Sequence, residues 1–232
     1  MPPGRIGLIG GLSWESTASY YASFHELLGA RAAPWTQPRL LIDSLNFAEV
    51  VEMQQRGAWD ETGELLADSA RRLVRGGASV IGIGANTMHV NFDAVESAVD
   101  VPVVDVRVAV AREARRHGGS LALLATKYVI DGDFYAAPLE AAGLEVVRPD
   151  PDQVLELQRV IFDELTRGIV TSSGRESVRA VARDCVARGA SAVGLCCTEF
   201  GLLISEDDQE FAVVDSTRAH VRALLEAVAL EG

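Results

Sequence analysis

Short apolar runs alternate along this chain with longer stretches whose apolar residues recur at helical spacing. The short runs predict strands at 5–10, 38–43, 79–84, 102–104, 120–125, 144–147, 191–196 and 212–214. The longer stretches predict helices at 15–30, 58–75, 91–98, 106–117, 131–142, 152–167, 174–188 and 216–230. Strands that are apolar on both faces and separated by helices belong in parallel sheets covered on both sides.

The pattern is also written twice. Gly77-Ala78-Ser79-Val80-Ile81-Gly82-Ile83-Gly84-Ala85-Asn86-Thr87 returns as Gly189-Ala190-Ser191-Ala192-Val193-Gly194-Leu195-Cys196-Cys197-Thr198-Glu199, at an offset of 112 residues. Each copy follows an arginine-bearing amphipathic helix and opens on a glycine that ends it. Arg5 to Gly10 pairs in the same way with Ser120 to Ala125, and Val103-Val104-Asp105 with Val213-Val214-Asp215. The repeat predicts an α/β fold of two pseudo-symmetric, doubly wound parallel-sheet lobes, with the active site in the cleft between them. The expected bounds are 1–105 plus 215–232 for the first lobe and 106–214 for the second, the chain returning to the first lobe after Asp215.

Ligands of open parallel sheets bind beyond the carboxyl ends of the strands. Four segments stand there: Gly10-Gly11-Leu12-Ser13, Ala85-Asn86-Thr87, Thr126-Lys127-Tyr128 and Cys197-Thr198-Glu199. Each opens a helix or turn whose N–H groups favour an anion, and Ser13, Asn86, Thr87, Thr126 and Thr198 add donors, which suits a carboxylate. Ser13, followed by Glu15 and Ser16, also reads as a helix cap. Cys197, at a strand end before a turn, is expected to have its thiolate stabilised and its pKa lowered. Cys185 and Cys196 read as buried structural cysteines. His89 is a candidate base or orienting group. His25, His117 and His220 are expected at a surface or interface, and Trp14, Tyr20 and Tyr21 are expected to pack.

Composition narrows the chemistry. A net charge of −12 leaves no basic stripe for nucleic acid or an anionic membrane. Apolar residues at 48% and charged residues at 23% are ordinary for a globular protein, and no segment reads as a signal peptide or membrane span. Three cysteines, two of them adjacent, fit the reducing cytoplasm better than a disulfide framework, and no Cys/His cluster has zinc spacing. Lys127 is the single lysine, so a pyridoxal phosphate Schiff base would have to form there, in what reads as a strand-end loop. Gly7, Gly10 and Gly11 have the wrong spacing for a dinucleotide fingerprint. No cofactor or metal is expected.

Three motifs carry a resemblance that covers nearly the whole chain. They are Ile6-Gly7-Leu8-Ile9-Gly10-Gly11-Leu12-Ser13-Trp14-Glu15-Ser16-Thr17, then Asn86-Thr87-Met88-His89, then Cys197-Thr198-Glu199 followed by Gly201-Leu202-Leu203. The chain resembles the aspartate/glutamate racemase family, whose members are cofactor-independent and usually homodimeric. The resemblance implies two cysteines flanking the substrate Cα, one removing a proton and the other returning one on the opposite face. It implies Cys197 as the second of these and Asn86, Thr87 and Thr198 as carboxylate binders, while Gly11, Ser13, Thr126 and Glu199 are expected substrate contacts from their strand-end positions. It departs at the first cysteine, because Ala85 stands there. His89 or a water serves the second face, or Ala85 is an engineered change, or Cys197 works alone. The last alternative resembles arylmalonate-decarboxylase-like enzymes, which use one thiol to protonate an enediolate. A catalytically silent carboxylate-binding homologue is the third class. Arg56 is the candidate for the substrate side chain, and the expected substrate is aspartate- or glutamate-like.

Overall fold

The computed structural model describes residues 4–30, 32, 33, 35–207 and 210–230. The expected lobe limits at residues 1 and 232 lie outside them. The chain divides into two compact units, one comprising the residues up to Asp105 with those from His220 onward, the other running from Val106 to Ala219.

In the first unit the order is β1 (Ile6–Gly10), α1 (Trp14–Gly29), β2 (Leu40–Ser44), α2 (Phe47–Gln55), α3 (Trp59–Arg75), β3 (Val80–Ile83), a 3-10 turn (Thr87–Asn91), α4 (Phe92–Glu96) and β4 (Val103–Val104). The second unit runs through α5 (Val106–Ala114), β5 (Ser120–Ala125), α6 (Lys127–Asp131), α7 (Asp133–Ala141), β6 (Glu145–Val147) and α8 (Pro151–Arg159). It continues with α9 (Ser172–Ala187), β7 (Ala192–Cys196), a 3-10 turn (Thr198–Leu202), β8 (Val213–Asp215) and the start of α10 (Ser216–Leu230). The division between units falls inside α10 at His220, about one turn later than the expected return after Asp215.

Both sheets are four-stranded and parallel, with one order: β2-β1-β3-β4 in the first and β6-β5-β7-β8 in the second. The central strands are buried on both faces, with Leu8 and Ile9 of β1 and Leu121 through Ala125 of β5 wholly inaccessible. Each fully buried Leu or Ile contributes roughly 2 kcal/mol of transfer free energy, enough for these runs to set the sheet centres. The copies also share a seam at the strand beginnings. Ser79 Oγ accepts from Arg5 N at 3.1 Å, and Ser191 Oγ, 112 residues later, accepts from Ser120 N at 3.2 Å.

Several elements depart from expectation. Helix α2 was not expected, because Val50 is its sole buried residue and its apolar period is weak. Asn46 nonetheless caps it, its Oδ1 accepting from Ala48 N at 3.3 Å. Lys127 stands on α6 and not in a loop. The expected helix 152–167 breaks into α8, a π turn (Val160–Glu164) and a 3-10 turn (Leu165–Arg167). In α7, Pro138 has no N–H for the Phe134 carbonyl, and Arg107 Nη1 donates to that oxygen instead at 2.7 Å. Among the described residues no helix is long and apolar enough to cross a membrane.

Candidate functional site

In each unit the strand order reverses at the central pair, so the carboxyl ends of β1 and β3, and of β5 and β7, mark the switch points where ligands bind in such sheets. All four expected segments lie there.

After β1 the chain turns at Gly11, whose φ is +70° and whose position leaves no room for a side chain: a Cβ would lie 2.1 Å from the Leu45 carbonyl oxygen. Ser13 follows with φ 148° and ψ 150°, a region nearly reserved for glycine that costs a serine about 1–3 kcal/mol. Its own cap offsets this strain. Ser13 Oγ accepts from Ser16 N at 3.0 Å, Thr17 Oγ1 donates to Ser13 O at 3.0 Å, and Gly11 N donates to Thr17 Oγ1 at 2.8 Å. Of the neighbouring aromatics only Tyr20 packs as expected. Trp14 and Tyr21 are 70% and 50% exposed, because they fall on the outer side of α1.

After β3 comes the Ala85 turn, with Asn86 buried and Thr87 half-buried. His89 is buried beneath it and lies 2.9 Å, through Nδ1, from the Ala85 carbonyl. A carbonyl can only accept, so Nδ1 carries the proton. The imidazole lies nearly parallel to Phe92 and edge-on to His220, with centroids 6.0 and 5.8 Å away. His220 is wholly buried and not at a surface: Nε2 donates to Val104 O and Nδ1 accepts from the Tyr20 hydroxyl, each at 2.8 Å. Burial pulls its pKa down to about 4, so it is neutral. Arg56, at the end of α2, is committed to Glu61 at 3.2 Å and lies 3.9 Å from Glu52.

In the second unit the pairing of Ala125 with Cys196 carries Thr126 alongside Cys197. Thr126 caps α6 through its backbone, and Lys127 is paired with Asp131. Cys196 is inaccessible, and burial pushes its thiol up to about 12. Cys197 is buried and donates from Sγ to Glu199 Oε2 at 3.1 Å. The same carboxylate oxygen accepts from Thr198 Oγ1 at 2.8 Å. Burial pushes the Cys197 thiol well above the ordinary cysteine value, and the neighbouring Glu199 charge pushes the same way. The expected dipole-lowered pKa is therefore corrected. The turn that follows is a single short 3-10 segment, and its dipole is outweighed by desolvation and a carboxylate.

One further cation belongs to this neighbourhood. The 3-10 turn Leu165–Arg167 packs against the turn Thr198–Leu202. Arg167 is exposed and, among the described residues, its side chain has no hydrogen bond or ion pair, as is also true of Arg39, Arg75 and Arg115. In contrast, Arg159, Arg183 and Arg218 are each tied to a glutamate. No motif marks Arg167 in the sequence; the packing of its turn against Thr198–Leu202 sets it apart.

Residues 9–224 match the family model described as Asp/Glu/Hydantoin racemase. The chain is 37% identical to an aspartate racemase homologue of Pyrococcus horikoshii OT3, covering 97% of this chain and 99% of that one with a TM-score of 0.85. It is 21% identical over 161 residues to the broad-specificity amino-acid racemase RacX of Bacillus subtilis (strain 168), covering 68% of each. The Picrophilus torridus aspartate racemase has the same fold, with a TM-score of 0.75, 22% identity and coverage of 97% and 94%.

Proposed function

The chain belongs to the Asp/Glu/Hydantoin racemase family of isomerases, and from that premise we propose that it is an amino-acid racemase moving the Cα proton through Cys197. The observation that carries this reading is the thiol of Cys197, held at the end of β7 with its proton directed at Glu199. A thiol that rests protonated is poised as a general acid, delivering a proton to a planar, carboxylate-stabilised Cα carbanion. In the reverse direction Glu199 takes the S–H proton, the thiolate so formed removes the Cα proton, and a water in the space left by Ala85 delivers or accepts the proton on the opposite face. Asn86, Thr87 and the backbone N–H of Thr198 are the proposed donors to the substrate α-carboxylate, and Thr126, Gly11 and Ser13 are further proposed substrate contacts. His89, whose Nδ1–H is committed to the Ala85 carbonyl, orients that turn. Because Arg56 already has carboxylate partners, we assign the side-chain carboxylate of an aspartate- or glutamate-like substrate to Arg167.

Cys197→Ser is the direct test. Loss of about 10²–10⁴-fold in racemisation with an unchanged circular dichroism spectrum is expected; undiminished turnover contradicts the proposal.

A second reading is favoured by two observations together, the alanine at position 85 and the protonated resting state of Cys197. One proton donor suffices for decarboxylation of a malonate, in which carbon dioxide leaves and the thiol protonates the remaining enediolate. Carbon dioxide release from aryl- or alkylmalonates, with no Cα exchange on amino acids, selects that reading.

A further inference from the structure

The chain between α8 and α9 is held by one buried carboxylate, and the inference drawn from it rests on the assignment of Arg167 above. Glu164, the last residue of the π turn, is buried. Its Oε1 accepts from Arg159 Nη1 at 2.7 Å, and its Oε2 accepts from Thr171 Oγ1 at 2.6 Å. Its backbone carbonyl accepts from Ile169 N at 3.0 Å. Thr171 in turn caps α9, its Oγ1 accepting from Gly174 N at 2.8 Å. The fit is close: a Cβ on Gly174 would lie 2.4 Å from Glu164 Oε2. Arg159 is fixed from the other side by Glu156, at 2.9 Å through Nε and 2.8 Å through Nη2.

These bonds tie the end of α8 to the cap of α9 through a single side chain. The segment between the two anchors is Leu165–Val170, and Arg167 lies within it, on the part packed against the Cys197 turn. A π turn costs helix regularity, and such turns recur at functional sites. Both oxygens of one carboxylate are engaged, one by a guanidinium and one by the cap of α9, which is more than a surface loop needs for closure.

We propose that Glu164 is a positioning residue, which, through Arg159 and Thr171, holds Leu165–Val170 so that Arg167 meets the side-chain carboxylate of an acidic amino acid. Glu164 selects the substrate class without touching the substrate. The Thr171 hydroxyl and the Arg159 guanidinium hold its carboxyl below the usual range, so the clasp is ionised at neutral pH.

Calorimetric titration of the whole chain with glutamate and with glutamine tests this without relying on turnover. Arg167→Ala is expected to reduce the preference for glutamate over glutamine by about tenfold or more. Glu164→Gln and the milder Thr171→Val are expected to shift the same ratio in the same direction, by several-fold. A merely structural clasp lowers the melting temperature and the bound fraction of both ligands alike, and leaves the ratio unchanged. An unchanged ratio in both clasp variants, with Arg167→Ala still shifting it, overturns the role of Glu164 and leaves that of Arg167. An unchanged ratio in Arg167→Ala overturns both.

Discussion

The turn after β3 and the turn after β7 occupy the same place in two copies of one sheet order, yet they are built differently. At Ala85 the side chain is inert and the backbone is gripped from below, His89 bonding the carbonyl. At Cys197 the side chains do the holding, as Thr198 and the thiol share one oxygen of Glu199. The supports differ in charge as well. Behind the first turn lie two buried histidines, one of them held neutral; within the second lies a thiol kept protonated by its burial and by a neighbouring carboxylate. The two copies share the scaffold, including the serine seam at the opposite ends of the strands, while their turns are supported by different groups. Proton transfer by a side chain is therefore proposed for the Cys197 turn alone, and binding of the substrate carboxylate for both.

The largest expected effect that would separate the turns is on stability in acid. His220 has a folded pKa of about 4 against an ordinary 6.5. The unfolded chain therefore binds the proton first as pH falls, and stability drops between pH 6.5 and 4 and stays low beneath that window. The shift corresponds to roughly 3 kcal/mol. Urea titrations across that range should show the loss, and His220→Gln should flatten its dependence on pH. An equally steep acid limb in that variant places the sensitivity elsewhere.

Restoring a thiol to the first turn sharpens the contrast from the other side. Ala85→Cys should raise racemisation by about tenfold or more, since it supplies a second acid–base group. Polarimetry at saturating substrate reads this, and no gain in rate would mean that the two turns do not act as a pair. The smallest effect concerns the second turn alone. Glu199→Gln removes the charge that disfavours the thiolate, so Cys197 should react with iodoacetamide several-fold faster at pH 8. Its rate should also rise at lower pH than in the native chain. Slower alkylation would mean that proton acceptance by Glu199 outweighs the repulsion between its charge and the thiolate.

Much of this comparison was legible in the sequence. Strands β1, β3, β5, β6 and β7 are apolar runs that follow a glycine, and the repeat places Cys197 at a strand end and pairs it with Ala85. Helix α2 was hidden because burying only Val50 leaves almost no period to read. The state of Cys197 was hidden for another reason: it depends on how Glu199, two residues on, folds back, and on the burial of both. His220 misled because a helical histidine shows nothing in sequence of a tyrosine 200 residues away. Arg167 is one of 21 Lys and Arg residues, and it stands out only once the packing of its turn against Thr198–Leu202 is known.

The central claim, that the Cys197 thiol moves the Cα proton, is tested most directly by hydrogen exchange in deuterium oxide. An enantiopure acidic amino acid is incubated with the native chain and with Cys197→Ser, and Cα deuterium is followed by NMR alongside chiral chromatography. The account predicts deuterium incorporation accompanied by the opposite enantiomer for the native chain, and neither for Cys197→Ser. Incorporation at the same rate in both proteins would contradict it.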